Sequence, residues 1–454
     1  MTSTVELPLW LFVLILLFAA VTFASHFLFP SVRWFFRRRM ERAVARLNER
    51  LARPIEPFKL ARRHDMIQRL IYDPQVSQAI ADHASQEGIP ESVAFEQAKR
   101  YAREIVPGFS TGIYFGVAIR AAKWLSKALY HVRLGRFDED AFRGVDRDAT
   151  VVFVMNHRSN MDYVLVTWLA AERSALSYAV GEWARVWPLS RLIRAMGAYF
   201  IRRRSRNELY RRVLARYVGM ATDGGVTQAV FLEGGLSLDG GLTPPRLGLL
   251  KYIVEGRSEP GRDVVFVPVA LNYDRVFEDR ILVAAAESGR RRFRARISVV
   301  ARFMLKQLWL WLTRRYYRHG YAAASFGAPV SLKAFRADHP GSTVEDLGGC
   351  LMQRIGAEVP VLPVPVVAHV LLDASGPVPR AALERDVQTL LARLPAGHVR
   401  LPRDGGVDSV QSGLANLLGR GIVIETGKGI APVERERPVL AYYARSIAHL
   451  FAGQ

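Results

Sequence analysis

Between Ala149 and Pro329 short apolar runs alternate with segments whose apolar positions recur every three to four residues. The runs Val151–Met155, Ala229–Leu232, Val264–Val269 and Ala322–Phe326 are short and mainly apolar, the pattern of buried strands. Helical periodicity falls at Asp162–Ala171, Leu189–Met196, Asn207–Thr222 and Gly248–Glu255. Such alternation predicts an α/β fold, a sheet covered by helices. Upstream, from Arg37 to about Arg103, the pattern is helical and charged, and Ile89-Pro90-Glu91-Ser92 reads as a helix start. Beyond Pro329 the chain is mainly helical, interrupted at Pro360–Pro365 and Gly397–Gly406.

Two apolar stretches raise the question of a membrane. Leu7 to Phe29 is an uncharged run of 23 positions, enough to cross a bilayer core of about 30 Å as a helix. Arg33, Arg37, Arg38, Arg39 and Arg42 follow, so the positive-inside bias leaves the remainder of the chain cytoplasmic. The alternative is a cleaved signal peptide. That reading wants a basic start, and residues 1–6 carry no Lys or Arg. Phe109–Phe137 and Val299–Tyr317 mix aromatics with Arg and Lys. Both are too charged to span comfortably; the first suits either an interface or packing on the α/β region, and the second an interface.

Composition narrows the partners. The 454 residues carry a formal net charge of +21, mostly from Arg, favouring anionic lipids, phosphorylated small molecules, acidic carrier proteins or nucleic acid. No zinc knuckle or RNA-binding aromatic motif supports the last. Cys350 is the single cysteine, which excludes intrachain disulfides and cysteine-built zinc clusters. Neither a Walker loop nor His-Glu-x-x-His occurs, so no metal or nucleotide cofactor is expected.

The candidate chemistry sits where the first strand ends. Val151-Val152-Phe153-Val154-Met155 is followed by Asn156-His157-Arg158-Ser159-Asn160-Met161-Asp162. Of the ten histidines only His157 has an Asp five positions on. Chance alone would produce such a pair about four times in ten, so the spacing by itself is weak. Its chemistry is nevertheless specific. A hydroxyl needs a positioned base, and an imidazole whose other nitrogen is held by a carboxylate supplies one.

Three further segments follow in order: Gly197-Ala198-Tyr199-Phe200-Ile201-Arg202-Arg203-Arg204, Phe231-Leu232-Glu233-Gly234-Gly235-Leu236-Ser237, and Phe266-Val267-Pro268-Val269-Ala270-Leu271-Asn272-Tyr273. With His157–Asp162 they resemble the four motif blocks of the glycerolipid acyltransferases, and most closely the branch of bacterial glycerol-3-phosphate and dihydroxyacetone-phosphate enzymes. Thr243–Leu250 and the ending Val439–His449 are also similar to that branch, so the resemblance covers about Thr150 to His449.

The resemblance implies transfer of a fatty acyl group from acyl-CoA or an acyl-carrier protein to the sn-1 hydroxyl of glycerol 3-phosphate, at the inner membrane. His157 would be the general base and Asp162 its orienting acid. Arg158, Ser159, Arg202, Arg203, Glu233, Gly234, Gly235, Ser237 and Arg246 would form the substrate-binding set. Each has a plainer reading: Arg202 and Arg203 as a solvated basic turn, Glu233-Gly234-Gly235 as an ordinary strand-ending turn. Four regions are expected: an anchor at 1–30, a basic helical region at 31–140, the catalytic α/β domain at 141–330 and a mainly helical region at 331–454. One position departs from the pattern. Leu236 stands where the family usually has an Arg implicated in binding the acceptor phosphate, so either another cation takes over or the acceptor differs, lysophosphatidate or another alcohol being the alternatives. A non-catalytic basic membrane protein is the remaining reading.

Overall fold

The computed structural model describes residues 8–170, 174–181, 189–202, 207–258, 261–289, 319–399, 402 and 407–452, without the side chains at 20, 21, 23–37, 40 and 189. The chain divides into two compact units, Met1–Pro54 and Ile55–Gln454. That division does not coincide with the expected boundaries at 30, 140 and 330.

The first unit is one helix, Leu9–Asn48. Here the expected anchor needs correction. Among the described residues no helix is long and apolar enough to cross a membrane. The apolar run does not form an element of its own. Its helix continues unbroken through the Arg-rich segment to Asn48.

The second unit is built on an eight-stranded sheet. Its strands are β1 (His131–Phe137), β2 (Thr150–Met155), β3 (Ser177–Val180), β4 (Tyr199–Phe200), β5 (Gln228–Phe231), β6 (Val264–Tyr273), β7 (Tyr321–Phe326) and β8 (Val330–Ser331), in the order β1-β7-β6-β2-β5-β3-β4 with β8 on β6. The pairs β6–β2–β5–β3–β4 are all parallel, whereas β7 and β8 run antiparallel to β6. All six residues of β2 and all ten of β6 are buried, which is why these strands read as unbroken apolar runs.

Helix Met161–Ala170 connects β2 to β3, and Glu208–Asp223 connects β4 to β5. Leu247–Glu255 connects β5 to β6. Glu208–Asp223 is capped by the Asn207 side chain, which accepts from the Tyr210 N–H at 2.9 Å, and the helix packs against Pro74–Glu87 and Glu91–Ile105. The stretch 109–137 resolves into a π-helical turn at Gly112–Ala118, a helix at Ile119–Leu129 and strand β1. One face of that helix, with Ala122, Ser126 and Leu129, is buried, and it packs on Met161–Ala170. Expected strand and helix bounds in the α/β region agree to within a residue or two, except that β6 continues to Tyr273. Val299–Tyr317 lies outside the described residues.

Past β8 come helices Leu332–Asp338, Val344–Ala357, Pro363–Asp373, Arg380–Ala392, Val407–Gly419 and Arg437–Ala448, with a hairpin of β9 (Val423–Thr426) and β10 (Gly429–Pro432). Pro363–Asp373 packs between Val407–Gly419 and Arg437–Ala448 and is apolar almost all round, as a helix surrounded by others must be. This cluster and the sheet share one continuous hydrophobic core.

Candidate active site

Strand β2 ends at Met155, in the middle of the sheet, and the chain must turn there before helix Met161–Ala170 begins. Asn156 makes the turn rigid. Its side chain donates to the Leu271 carbonyl at 3.0 Å and accepts from the Leu271 N–H at 2.8 Å, imitating one more ladder pair with β6. His157 follows, at the carboxyl edge of parallel strands, where open α/β sheets bind their ligands.

The five-residue spacing now has a geometric meaning. It places Asp162 in the helix's first turn, from which its carboxylate reaches back over the loop. Asp162 Oδ2 meets His157 Nδ1 at 2.8 Å and accepts from the backbone N–H groups of Arg158 at 2.7 Å and Ser159 at 3.0 Å. Oδ1 accepts from the Tyr273 hydroxyl at 2.7 Å, at the end of β6. Both side chains of the pair are buried, at 2% and 0% exposure. A carboxylate accepts only, so Nδ1 carries the proton and Nε2 presents its lone pair. Among the described residues Nε2 makes no hydrogen bond. Burial and the neighbouring Asp162 charge push the Tyr273 hydroxyl well above its usual pKa, which keeps it a donor.

Glu233 follows β5, the strand beside β2. Its Oε2 accepts from the His157 N–H at 2.6 Å, and its Oε1 accepts from the Thr243 N–H at 2.9 Å. The Ser237 N–H in turn donates to the His157 carbonyl at 2.9 Å. The Glu-Gly-Gly segment therefore holds the histidine by its backbone from both sides. Burial raises the Glu233 pKa, opposed by the Arg158 charge and the two backbone donors. Gly234 takes φ +65°, and a Cβ there would come within 2.7 Å of Arg246 Cγ, so this turn needs glycine and lies under the Arg246 side chain. The imidazole itself stacks on Phe231 with ring centroids 3.9 Å apart, and Tyr163 meets it edge-on at 5.6 Å.

The expected substrate-binding residues separate under this geometry. Arg158 is enclosed at 1% exposure, its guanidinium donating to the carbonyls of Gly240, Gly241 and Ser446. It ties the histidine loop to the last helix. Ser159 is fully buried and donates to Glu278 Oε2 at 2.9 Å. Arg202 forms a two-pronged ion pair with Glu104 at 2.9 and 2.7 Å and lies over the rings of Tyr101 and Tyr210. Ser237 donates to the Gly241 carbonyl at 2.7 Å, closing a turn. Leu236 is partly buried against the core. Arg203 lies outside the described residues. Arg246 is the exception: it is exposed, and no ion pair or side-chain hydrogen bond engages it among the described residues.

Sequence reasoning quoted Phe231 and Tyr273 within motif blocks without giving them a role, and it missed Tyr163 and Glu278 altogether. Phe231 and Tyr273 end strands adjacent to β2, a signal available only once strand order is known.

Two family models match the chain, an acyltransferase model over residues 127–272 and a glycerol-3-phosphate acyltransferase C-terminal model over residues 307–454. A glycerol-3-phosphate acyltransferase of Pseudomonas putida is 27% identical over 87% of this chain and 49% of that protein. Another, of Aeromonas hydrophila, is 28% identical over 87% of this chain and 51% of its own length. The chain thus spans about half the length of the curated relatives it matches. A solved 1-acyl-sn-glycerophosphate acyltransferase of Thermotoga maritima aligns with 54% of this chain and 75% of that one, at 19% identity and a TM-score of 0.33. The chain thus matches an acyltransferase model and a glycerol-3-phosphate acyltransferase C-terminal model in tandem, and the relatives it resembles along most of its length are glycerol-3-phosphate acyltransferases.

Proposed function

We propose that this chain transfers a fatty acyl group from an acyl thioester to the sn-1 hydroxyl of glycerol 3-phosphate. The observation that carries the reading is the buried His157–Asp162 pair at the carboxyl edge of β2, with no hydrogen-bond partner on Nε2 among the described residues. His157 Nε2 takes the hydroxyl proton as the oxygen attacks the thioester carbonyl. The imidazolium so formed is stabilised by Asp162, whose position four hydrogen bonds define. Collapse of the tetrahedral intermediate expels the thiolate, which takes the proton back from Nε2. No acyl-enzyme is needed, and the Ser237 hydroxyl is engaged in its own turn.

The acceptor phosphate needs a cation. Arg158 and Arg202 are held by protein acceptors, whereas the guanidinium of Arg246, over the Gly234 turn, meets no acceptor among the described residues. We assign Arg246 the role left open by Leu236. The region 141–330 carries this chemistry. The net charge of +21 supports work at an anionic lipid surface on the cytoplasmic side, with acyl-CoA or acyl-carrier protein as the donor. The test is His157→Ala, assayed with a labelled acyl donor. Transfer is expected to fall at least about a thousandfold with the fold intact by circular dichroism, on the scale of losing a general base. Retained transfer removes His157 as the base. A second reading rests on Leu236, since an apolar residue there suits a less polar acceptor such as lysophosphatidate. Labelling of lysophosphatidate alone, in parallel incubations with each acceptor, would establish it.

A further inference from the structure

The loop between base and acid is held at its ends by Asp162 and Glu233, but its middle is held by a residue from outside the four motif blocks. Glu278 accepts the Ser159 hydroxyl on Oε2 at 2.9 Å. Its Oε1 accepts the Asn160 N–H at 3.3 Å and the Asn160 side-chain amide at 2.9 Å. Ser159 Oγ passes the arrangement on by accepting from the Met161 N–H at 3.2 Å, at the start of the helix that carries Asp162. Glu278 thus spans the short arc whose shape decides the His157–Asp162 distance.

Glu278 is itself held in place. It precedes helix Asp279–Ser288 at the N-cap position. The next residue, Asp279, is buried, and its Oδ2 accepts from the Tyr443 hydroxyl at 2.5 Å and from the Arg420 guanidinium. The Tyr443 oxygen also accepts from Arg420 at 3.0 Å and from the Val276 N–H at 3.1 Å. Arg420 follows helix Val407–Gly419, and Tyr443 lies on Arg437–Ala448. A buried acid bonded to two groups of the C-terminal region therefore sets where Glu278 stands. Among the described residues none of Glu278, Asp279, Arg420 and Tyr443 hydrogen-bonds to His157.

We propose that Glu278 is a positioning residue for acyl transfer. It holds Ser159 and Asn160 so that His157 and Asp162 keep their hydrogen bond, and the Asp279–Arg420–Tyr443 cluster makes that geometry depend on the C-terminal region. This rests on the reading of His157 as the base. Glu278 exchanges no proton with substrate; it acts through distance alone. The chemistry makes the conservative variant informative. In Glu278→Gln the amide oxygen still accepts from Asn160, and the amide nitrogen donates to the Ser159 hydroxyl, which rotates to accept.

The test compares Glu278→Ala, Glu278→Gln and Ser159→Ala/Asn160→Ala in the full chain, with His157→Ala alongside. Both kcat and the KM for each substrate are measured on lipid vesicles. In Glu278→Ala, kcat is expected to fall about ten- to a hundredfold with each KM within about threefold, the pattern of lost transition-state geometry rather than lost binding. Glu278→Gln should retain at least about half of wild-type kcat. The double variant, which removes the two side-chain bonds from the loop side and leaves only the Asn160 N–H, should lose kcat in the same direction as Glu278→Ala and settles the matter should that variant not fold. Wild-type kcat in Glu278→Ala, or in the double variant, overturns the positioning role while leaving His157 untouched. Equal losses in the Ala and Gln variants also overturn it, because they point to the charge rather than the bonds. An active His157→Ala variant would instead remove the base, and this inference with it.

Discussion

At the scale of single residues, burial separates the arginines that sequence alone could not rank. Arg158 and Arg202 were both expected to meet substrate, yet each guanidinium is engaged by protein acceptors. Each ties one part of the fold to another. Arg246 has no such partner, so its loss should be felt by the substrate rather than by the fold. Arg246→Ala is expected to raise the KM for glycerol 3-phosphate about ten- to a hundredfold, the equivalent of one charge-assisted hydrogen bond of about 1.5–3 kcal/mol. The KM for the acyl donor should change little. Steady-state kinetics with each substrate varied in turn checks this, and an unchanged acceptor KM removes Arg246 from the phosphate site. His157 and Asp162 were legible as residues because their spacing is local. The partners Tyr273, Phe231 and Glu278 come from other strands and loops, and no spacing rule reaches them.

At the scale of elements, the strands that carry an apolar run were legible and the others were not. β2, β5, β6 and β7 carry mainly apolar runs, whereas Ser177–Val180 of β3 and the two residues of β4 give no run or period that registers. β1 was hidden differently: His131, Arg133 and Arg136 interrupt its apolar positions because it lies at the sheet's edge, where its neighbour is β7 alone. Asp274 shows how element ends are joined. It follows β6, and its carboxylate accepts the N–H of Tyr321 at 2.7 Å, at the start of β7, and that of Val364 at 2.8 Å, in helix Pro363–Asp373. Burial outweighs both bonds and raises its pKa to about 7.

The sign of the resulting pH dependence follows from linkage. Between the unfolded carboxyl value near 4 and the folded value, the native state binds more protons than the unfolded chain. This group therefore favours folding at low pH, and its contribution is lost as pH rises from about 4 to about 7. Asp274→Asn cannot titrate, so its unfolding free energy should fall less than the wild type's between pH 5 and pH 8. Urea unfolding of both proteins at the two values measures it, and identical slopes would show that Asp274 is ionised throughout.

At the scale of the whole molecule, the C-terminal helices form part of the same core as the sheet and reach the reactive loop. Arg158 donates to the Ser446 carbonyl, Asn272 donates to the Pro360 carbonyl at 2.8 Å, and Gly240 lies against the Tyr442 carbonyl. Gly240 has φ +84°, and a Cβ there would collide with the Tyr442 backbone. Gly240→Ala should destabilise the protein by about 2 kcal/mol or more, combining left-handed strain with overpacking. It should also lower activity by displacing the last helix from Arg158. Thermal melting and acyl transfer measured on the same sample check both parts, and an unchanged melting temperature would mean that the helix does not seat as described.

What the chain's order of residues determined by itself is whatever depends on neighbours within a few positions: the buried strands, the helical faces, the His157–Asp162 spacing, and the substitution at Leu236. The similarity of four short blocks to a family followed from that local order. Which arginines are held by protein acceptors, what grips the loop between His157 and Asp162, and how the C-terminal helices reach that loop were decided by the fold. The reason is physical. Hydrogen bonds and burial act over about 3 Å in space, and in this protein Tyr273, which bonds to Asp162, stands 111 positions from it along the chain.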